Sequence, residues 1–327
     1  MSTTPPDPVF DQATETVPEG GEGPLLSPAM MGRLERMELV SRKIFRGQMK
    51  GERISRRKGQ SVEFADFRNY VPGDDLRLID WNLVARLDQL FLKLFQEEED
   101  LHFYALVDCS ESMRFGTPSK LRVACQLAAA LGYVGLCHGD RVAVRTLESA
   151  VGAPVVRSKS SFWKLLAYLD GLVSPPRGPT GASGGDDTEN RSNVSLHDGV
   201  RDFVLRGVTG GVVVLITDLM DKAGYESALR MLVGRRLDVF VLQVLSREEL
   251  DPPLRGDRRL IDVEDGDAAE VTINQYVLDQ YRETLQGFLT AARQYCAKRS
   301  IVHVLVPTDM PVETVVTEVL RRRGVVR

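Results

Sequence analysis

The chain has 327 residues, enough to bury a sizeable core in one large domain or two. Its net charge of −4, with 43% hydrophobic and 27% charged residues, is ordinary for a globular protein and gives no electrostatic footprint for nucleic acid. No apolar run approaches the roughly 20 residues of a membrane span. The first residues lack the basic start and apolar stretch of a secretory signal. The expectation is therefore a cytoplasmic chain with no nucleic-acid partner and no stable membrane insertion. Cys109, Cys125, Cys137 and Cys296 are scattered and read as reduced thiols, and the histidines are too isolated for a zinc site.

Residues 1–29 are rich in Pro, Gly, Thr and Glu and poor in large apolar residues, the pattern of a disordered tail. Residues 30–102 read as an N-terminal segment, a helix and an extended stretch, that packs on the domain after it. Leu34, Met37, Ile44 and Phe45 share one face of a predicted helix over residues 30–49. The basic loop that follows carries Arg53, Arg56, Arg57 and Lys58, suited either to an acidic partner or to plain solvation. Pro72, Gly73 and Asp74 are turn chemistry, and Leu90 to Gln96 alternates as a strand. Asp74, Asp75, Arg77, Asp80 and Arg86 crowd together and are expected to pair with one another and with backbone groups, with Trp81 as a core anchor.

From residue 103 to 327 apolar strands and amphipathic helices alternate, which implies a mainly parallel sheet with helices on both faces. Phe103 to Val107 is a short buried strand that runs into Asp108, Ser110 and Ser112. Helices are predicted over Lys120–Cys137 with Ser119 as cap, Phe162–Leu172, Ser195–Leu205, Ala223–Arg236, Tyr276–Arg299 and Pro311–Arg323. Strands are predicted over Arg141–Leu147, Val151–Val156, Gly210–Thr217, Leu237–Leu245 and Ile301–Val306, with a hairpin over Arg258–Val263 and Glu270–Ile273. Residues 174–193 form a long polar loop.

One carboxylate and two hydroxyls at alternate positions beyond a parallel strand suit a hard cation such as Mg2+. The alternative is a loop whose Asp and Ser cap the next helix. A phosphatase of the haloacid-dehalogenase type needs a second acid two residues after the first, and that position is Ser110. Asp108, Ser110 and Ser112 resemble the metal-ion-dependent adhesion site of von Willebrand factor A (vWA) domains. That resemblance implies a vWA-like α/β fold, Asp218 as the carboxylate of the third metal loop, and a Thr at position 194. Position 194 is Val, which has no oxygen to offer, so the substitute donor for the cofactor, Mg2+ or Mn2+, is Ser195, Asn193 or Ser192.

The pattern from Phe64, Phe67, Arg68 and Tyr70 through Asp74, Asp75, Arg77, Asp80, Trp81 and Arg86 resembles the bacterial domain of unknown function 58 family, whose members join such a segment to a vWA-like domain. The resemblance implies a non-enzymatic protein-interaction module. It also implies a MoxR-type AAA+ ATPase or its client as partner, in assembly or maturation of other proteins. The membrane helices of many members are not seen in this sequence. The other readings are a metal-independent scaffold with a decayed metal site and, third, a metal-dependent hydrolase.

Overall fold

The computed structural model describes residues 23–40, 63–72, 74, 76–96, 101–148, 152–174, 194–208, 210–235, 237–262 and 267–327. The basic loop with Arg53, Arg56, Arg57 and Lys58, the predicted helix beyond residue 40 and most of the 174–193 loop lie outside the described residues.

The centre is a five-stranded parallel sheet of β3 (His102–Val107), β4 (Arg141–Thr146), β5 (Gly211–Thr217), β6 (Leu237–Leu245) and β9 (Val302–Pro307). Its order is β4-β3-β5-β6-β9. Alternate residues of these apolar strands enter opposite layers. Phe103, Ala105, Val107, Val212, Val214 and Phe240 join one core, and Leu106, Val213, Leu215, Val239 and Val241 the other. The first core is closed by α3 (Lys120–Cys137) and α4 (Phe162–Val173), the second by α5 (Leu196–Leu205), α6 (Glu226–Val233) and α8 (Gln275–Ala297). This is the parallel α/β architecture expected from the alternation of elements, and it is Rossmann/vWA-like as the resemblance implies. The predicted strand over Val151–Val156 shrinks to an antiparallel bridge between Val142 and Val156 at the sheet edge.

α3 has the length and hydropathy of a membrane-crossing helix, but 83% of it is buried inside the body. Ser119 caps it, accepting from Arg122 N at 3.3 Å. The last helical segment is α-helical over Val312–Thr314 and π-helical over Val315–Leu320.

The N-terminal boundary moves. Leu25 and Leu26 are buried, and Ser27 caps α1 (Pro28–Leu34), so the ordered body begins before residue 30. α1 stops at Leu34 because the chain then pairs with the C-terminal segment. Val40 N donates to Val325 O at 2.9 Å and Arg327 N to Glu38 O at 2.9 Å, on either side of a Leu39–Val326 bridge. Residues 23–40 thus pack on the α/β body, with Met30, Leu34, Met37 and Leu39 in its core.

Residues 63–96 form their own small unit. β1 (Glu63–Asn69) and β2 (Phe91–Gln96) pair antiparallel, with α2 (Trp81–Leu87) between them. Asp74 and Asp80 bond as expected, and Asp75 lies outside the described residues. Asp74 bonds Arg68 at 2.7 Å and accepts from Val71 N at 2.9 Å, and Asp80 caps α2 by accepting from Asn82 N at 2.9 Å. The Arg68 guanidinium holds the Asp74 carboxyl below its usual value. Trp81 corrects the expectation of a core anchor: it is 65% exposed, and α2 buries none of its residues. Trp81→Ala should therefore change stability by no more than about 0.5 kcal/mol, the range of surface changes. Urea unfolding would show this, and a loss of about 3 kcal/mol would mark a buried ring.

β7 (Gly256–Ile261) and β8 (Ala268–Ile273) make the expected hairpin. Its exposed residues contribute little to the core.

Candidate functional site

β3 is the first strand of the sheet, and the chain leaves it toward β4 on one side and β5 on the other. The carboxyl ends of β3 and β5 therefore flank the switch point of the sheet, where open α/β sheets collect ligands. Asp108 follows β3 and Asp218 follows β5. Both are nearly enclosed, at 8% and 3% exposure, while Ser110 and Ser112 are half-buried.

Hydrogen bonds join the sequence-predicted residues. Ser110 Oγ lies 3.1 Å from Ser112 Oγ, and Ser112 Oγ donates to Asp218 Oδ2 at 3.1 Å. Asp108 Oδ1 accepts from Ser110 N at 3.0 Å, and its Oδ2 accepts from Thr217 Oγ1 at 2.5 Å. Thr217 Oγ1 in turn accepts from Leu219 N at 3.0 Å. That bond helps hold Leu219 at φ 63°, a left-handed conformation unusual for a bulky residue.

Ser195 is not brought into this set. Its hydroxyl donates to Asp198 Oδ2 at 2.8 Å and accepts from Asp198 N at 3.1 Å, so it serves as the cap of α5. Asp221 also serves this helix, accepting from Leu196 N at 2.5 Å.

Four side chains that the sequence reading passed over complete the site. Lys120, 0% exposed, bonds Asp218 Oδ2 at 2.7 Å and Glu249 Oε1 at 2.5 Å. Glu148, beyond β4, accepts from Cys109 N at 2.8 Å through Oε1. Gln243, also 0% exposed, donates from Nε2 to the Asp218 carbonyl at 2.9 Å. Its Oε1 then faces His303 Nε2 at 2.9 Å, which assigns the His303 proton to Nε2.

The electrostatics are those of crowded, buried acids. Burial, then repulsion from Asp218, pushes the Asp108 carboxyl up against the opposing bonds from Ser110 and Thr217. Burial, then the charge of Asp108, pushes Glu148 up to about 8, so it is mostly protonated at neutral pH. Burial pulls Lys120 down, but Asp218 and Glu249 outweigh it and raise the ammonium above its usual value. Burial, then Glu148, pushes the Cys109 thiol up, which makes it a poor nucleophile.

Burial, then Arg293 and Arg323, lowers His303 to about 4. An unfolded His protonates near pH 6.5. The stability that the neutral ring contributes is thus complete above pH 6.5 and lost as pH falls from 6.5 to about 4. The slope is at most about 1.4 kcal/mol per pH unit. Melting temperatures of wild type and His303→Gln across that interval should converge as pH falls, and parallel curves would contradict the assignment.

Two carboxylates and two hydroxyls give an all-oxygen donor set of the kind that hard divalent cations take. The residues present fit Mg2+ or Mn2+ in donor chemistry, without a contribution from Val194 or Ser195. Among the described residues no group of three or more His, Cys, Asp and Glu is placed to hold a metal.

The parallel sheet and the loop at its switch point define the chain as a Rossmann/vWA-like α/β protein. It belongs to the family described as "Protein of unknown function DUF58", which matches residues 66–292. Uncharacterized proteins of Mycobacterium tuberculosis and Mycobacterium bovis are each 26% identical over 261 residues, covering 79% of this chain and 78% of theirs. The crystal structure of the conserved hypothetical protein BatB from Bacteroides thetaiotaomicron is 15% identical. It covers 68% of this chain and 98% of that one, but its TM-score of 0.38 is too low to support structural inference.

Proposed function

We propose that the chain is a non-enzymatic protein-interaction module whose contact face is the crevice at the carboxyl ends of β3 and β5. The observation that carries this reading is the convergence there of Asp108, Ser110, Ser112 and Asp218, with the carboxylates enclosed and the serines at the mouth. In this proposal these four residues hold Mg2+ or Mn2+. The ion supplies a positive charge to which a partner's carboxylate can bind. The chain's own residues orient the donors. Thr217 and Ser110 N fix Asp108, while Ser112, Lys120 and Met220 N fix Asp218.

The family resemblance points to a MoxR-type AAA+ ATPase or its client as partner, in assembly or maturation of other proteins. Arg53, Arg56, Arg57 and Lys58 are proposed as a second contact for an acidic partner surface.

The second reading is a metal-independent scaffold. Val194, the capping role of Ser195 and the ammonium already on Asp218 favour it. The test is binding of a purified MoxR-type ATPase from the same genome to the full chain, with and without chelator. Loss of the complex in chelator and in Asp108→Ala is the expected result. A complex indifferent to both would leave the scaffold reading.

A further inference from the structure

We infer that Lys120 is the site's built-in cation, a positioning residue that neutralises Asp218 and Glu249 and sets how tightly a divalent ion is held at Asp218. The second half of this inference rests on the metal reading proposed above, and the first half does not.

Lys120 is the first residue of α3, where the positive end of the helix dipole disfavours a cation. It is nevertheless fully buried, with its ammonium on two carboxylates from different parts of the chain. An ammonium enclosed without partners gives up its proton, so these acids are what keep it charged.

Glu249 is itself fixed. Its Oε2 accepts from Ser246 N at 2.8 Å, Ser246 Oγ accepts from Glu249 N at 3.1 Å, and Tyr281 donates to the Glu249 carbonyl at 2.7 Å. Gly116, between the serine loop and α3, lies directly on Ser246: a Cβ there would be 2.8 Å from Ser246 Cβ. Lys120 thus ties the Asp218 loop to α7 (Arg247–Leu250) and, through Tyr281, to α8. Asp218 Oδ2 already receives both Ser112 Oγ and Lys120 Nζ. A divalent ion taken up by Ser112 and Asp218 would share that carboxylate with an ammonium, and like charges at such range repel strongly in a buried site.

The experiment uses the full chain as wild type, Lys120→Met, Asp218→Asn and Lys120→Met/Asp218→Asn, read by melting temperature and by Mn2+ titration. Lys120→Met should lower the melting temperature by about 5 °C, because the buried Asp218 and the half-buried Glu249 lose their counter-ion. Adding Asp218→Asn should restore most of that loss, and Lys120→Met should bind Mn2+ about tenfold more tightly than wild type.

A Lys120→Met protein as stable as wild type, or losses that simply add in the double variant, would overturn the counter-ion role. If wild type binds Mn2+ and Lys120→Met binds it no more tightly, the tuning role fails while the metal reading stands. If the stability coupling appears but neither protein binds Mn2+, the counter-ion role stands, and tuning falls with the metal reading. Should Lys120→Met not fold, the neutral triple variant Lys120→Met/Asp218→Asn/Glu249→Gln should fold, and its failure would overturn the counter-ion role.

Discussion

Gly199→Val should cost about 3 kcal/mol of stability, at the upper end of what overpacking usually does. A Cβ at Gly199 would lie 2.6 Å from the Leu147 carbonyl oxygen, 2.8 Å from Leu147 Cβ and 3.0 Å from its Cα. These are mostly backbone or near-backbone atoms at the end of β4, so no rotamer change relieves the clash. α5 would have to lift away, taking Val200 and Phe203 out of the core and moving Ser195. Denaturant unfolding measures the loss. The matched control is Gly287→Ala on α8, where nothing lies within 4 Å of the added carbon. There the better helix former should add about 0.5–1 kcal/mol. A Gly199→Val protein of wild-type stability would show that α5 does not sit against Leu147 as described.

Gln243→Leu should cost about 2 kcal/mol or more, although the side chains are similar in size and the site is fully buried. The substitution removes the donor to the Asp218 carbonyl and the acceptor for His303 Nε2. Each buried polar group left without its partner costs about 1–3 kcal/mol. The change also frees the main chain of Asp218, so a divalent ion proposed to bind there should bind more weakly. Unfolding curves and Mn2+ titration of the same preparation give both effects. A Gln243→Leu protein with unchanged stability would mean that the bridge from β9 to Asp218 has no energetic weight.

The sheet strands were legible wherever an apolar run ended in polar residues, as at Val107 before Asp108 and Thr217 before Asp218. α3 was legible from its spacing and its Ser119 cap. The end of α1 was not, because Glu38 and Val40 pair with Val325 and Arg327, nearly the whole chain away. Trp81 looked like core because large aromatics usually are, but it opens a short helix that buries nothing.

The candidate site divides in the same way. Asp108, Ser110, Ser112 and Asp218 stand at strand ends and could be read from local pattern. Lys120, Glu148, Glu249 and Gln243 act across contacts of 25 to 129 residues, which no local pattern reports. Lys120 did leave a signal, since a lysine in the first turn of an apolar helix opposes the dipole and calls for a buried acid. Glu148 left a weaker one, as an acid two residues beyond β4, beside the β3 end that carries Asp108. Ser195 misled because its two possible duties, metal donor and helix cap, look alike in sequence.

The most direct test of the central claim is a calorimetric titration of Mg2+ and Mn2+ into wild type and Asp108→Ala. Wild type should show saturable binding and a melting temperature that rises with ion concentration, as binding to the native state alone requires. Asp108→Ala should show neither. Equal heats and equal melting temperatures in the two proteins would contradict a cation site at the carboxyl ends of β3 and β5.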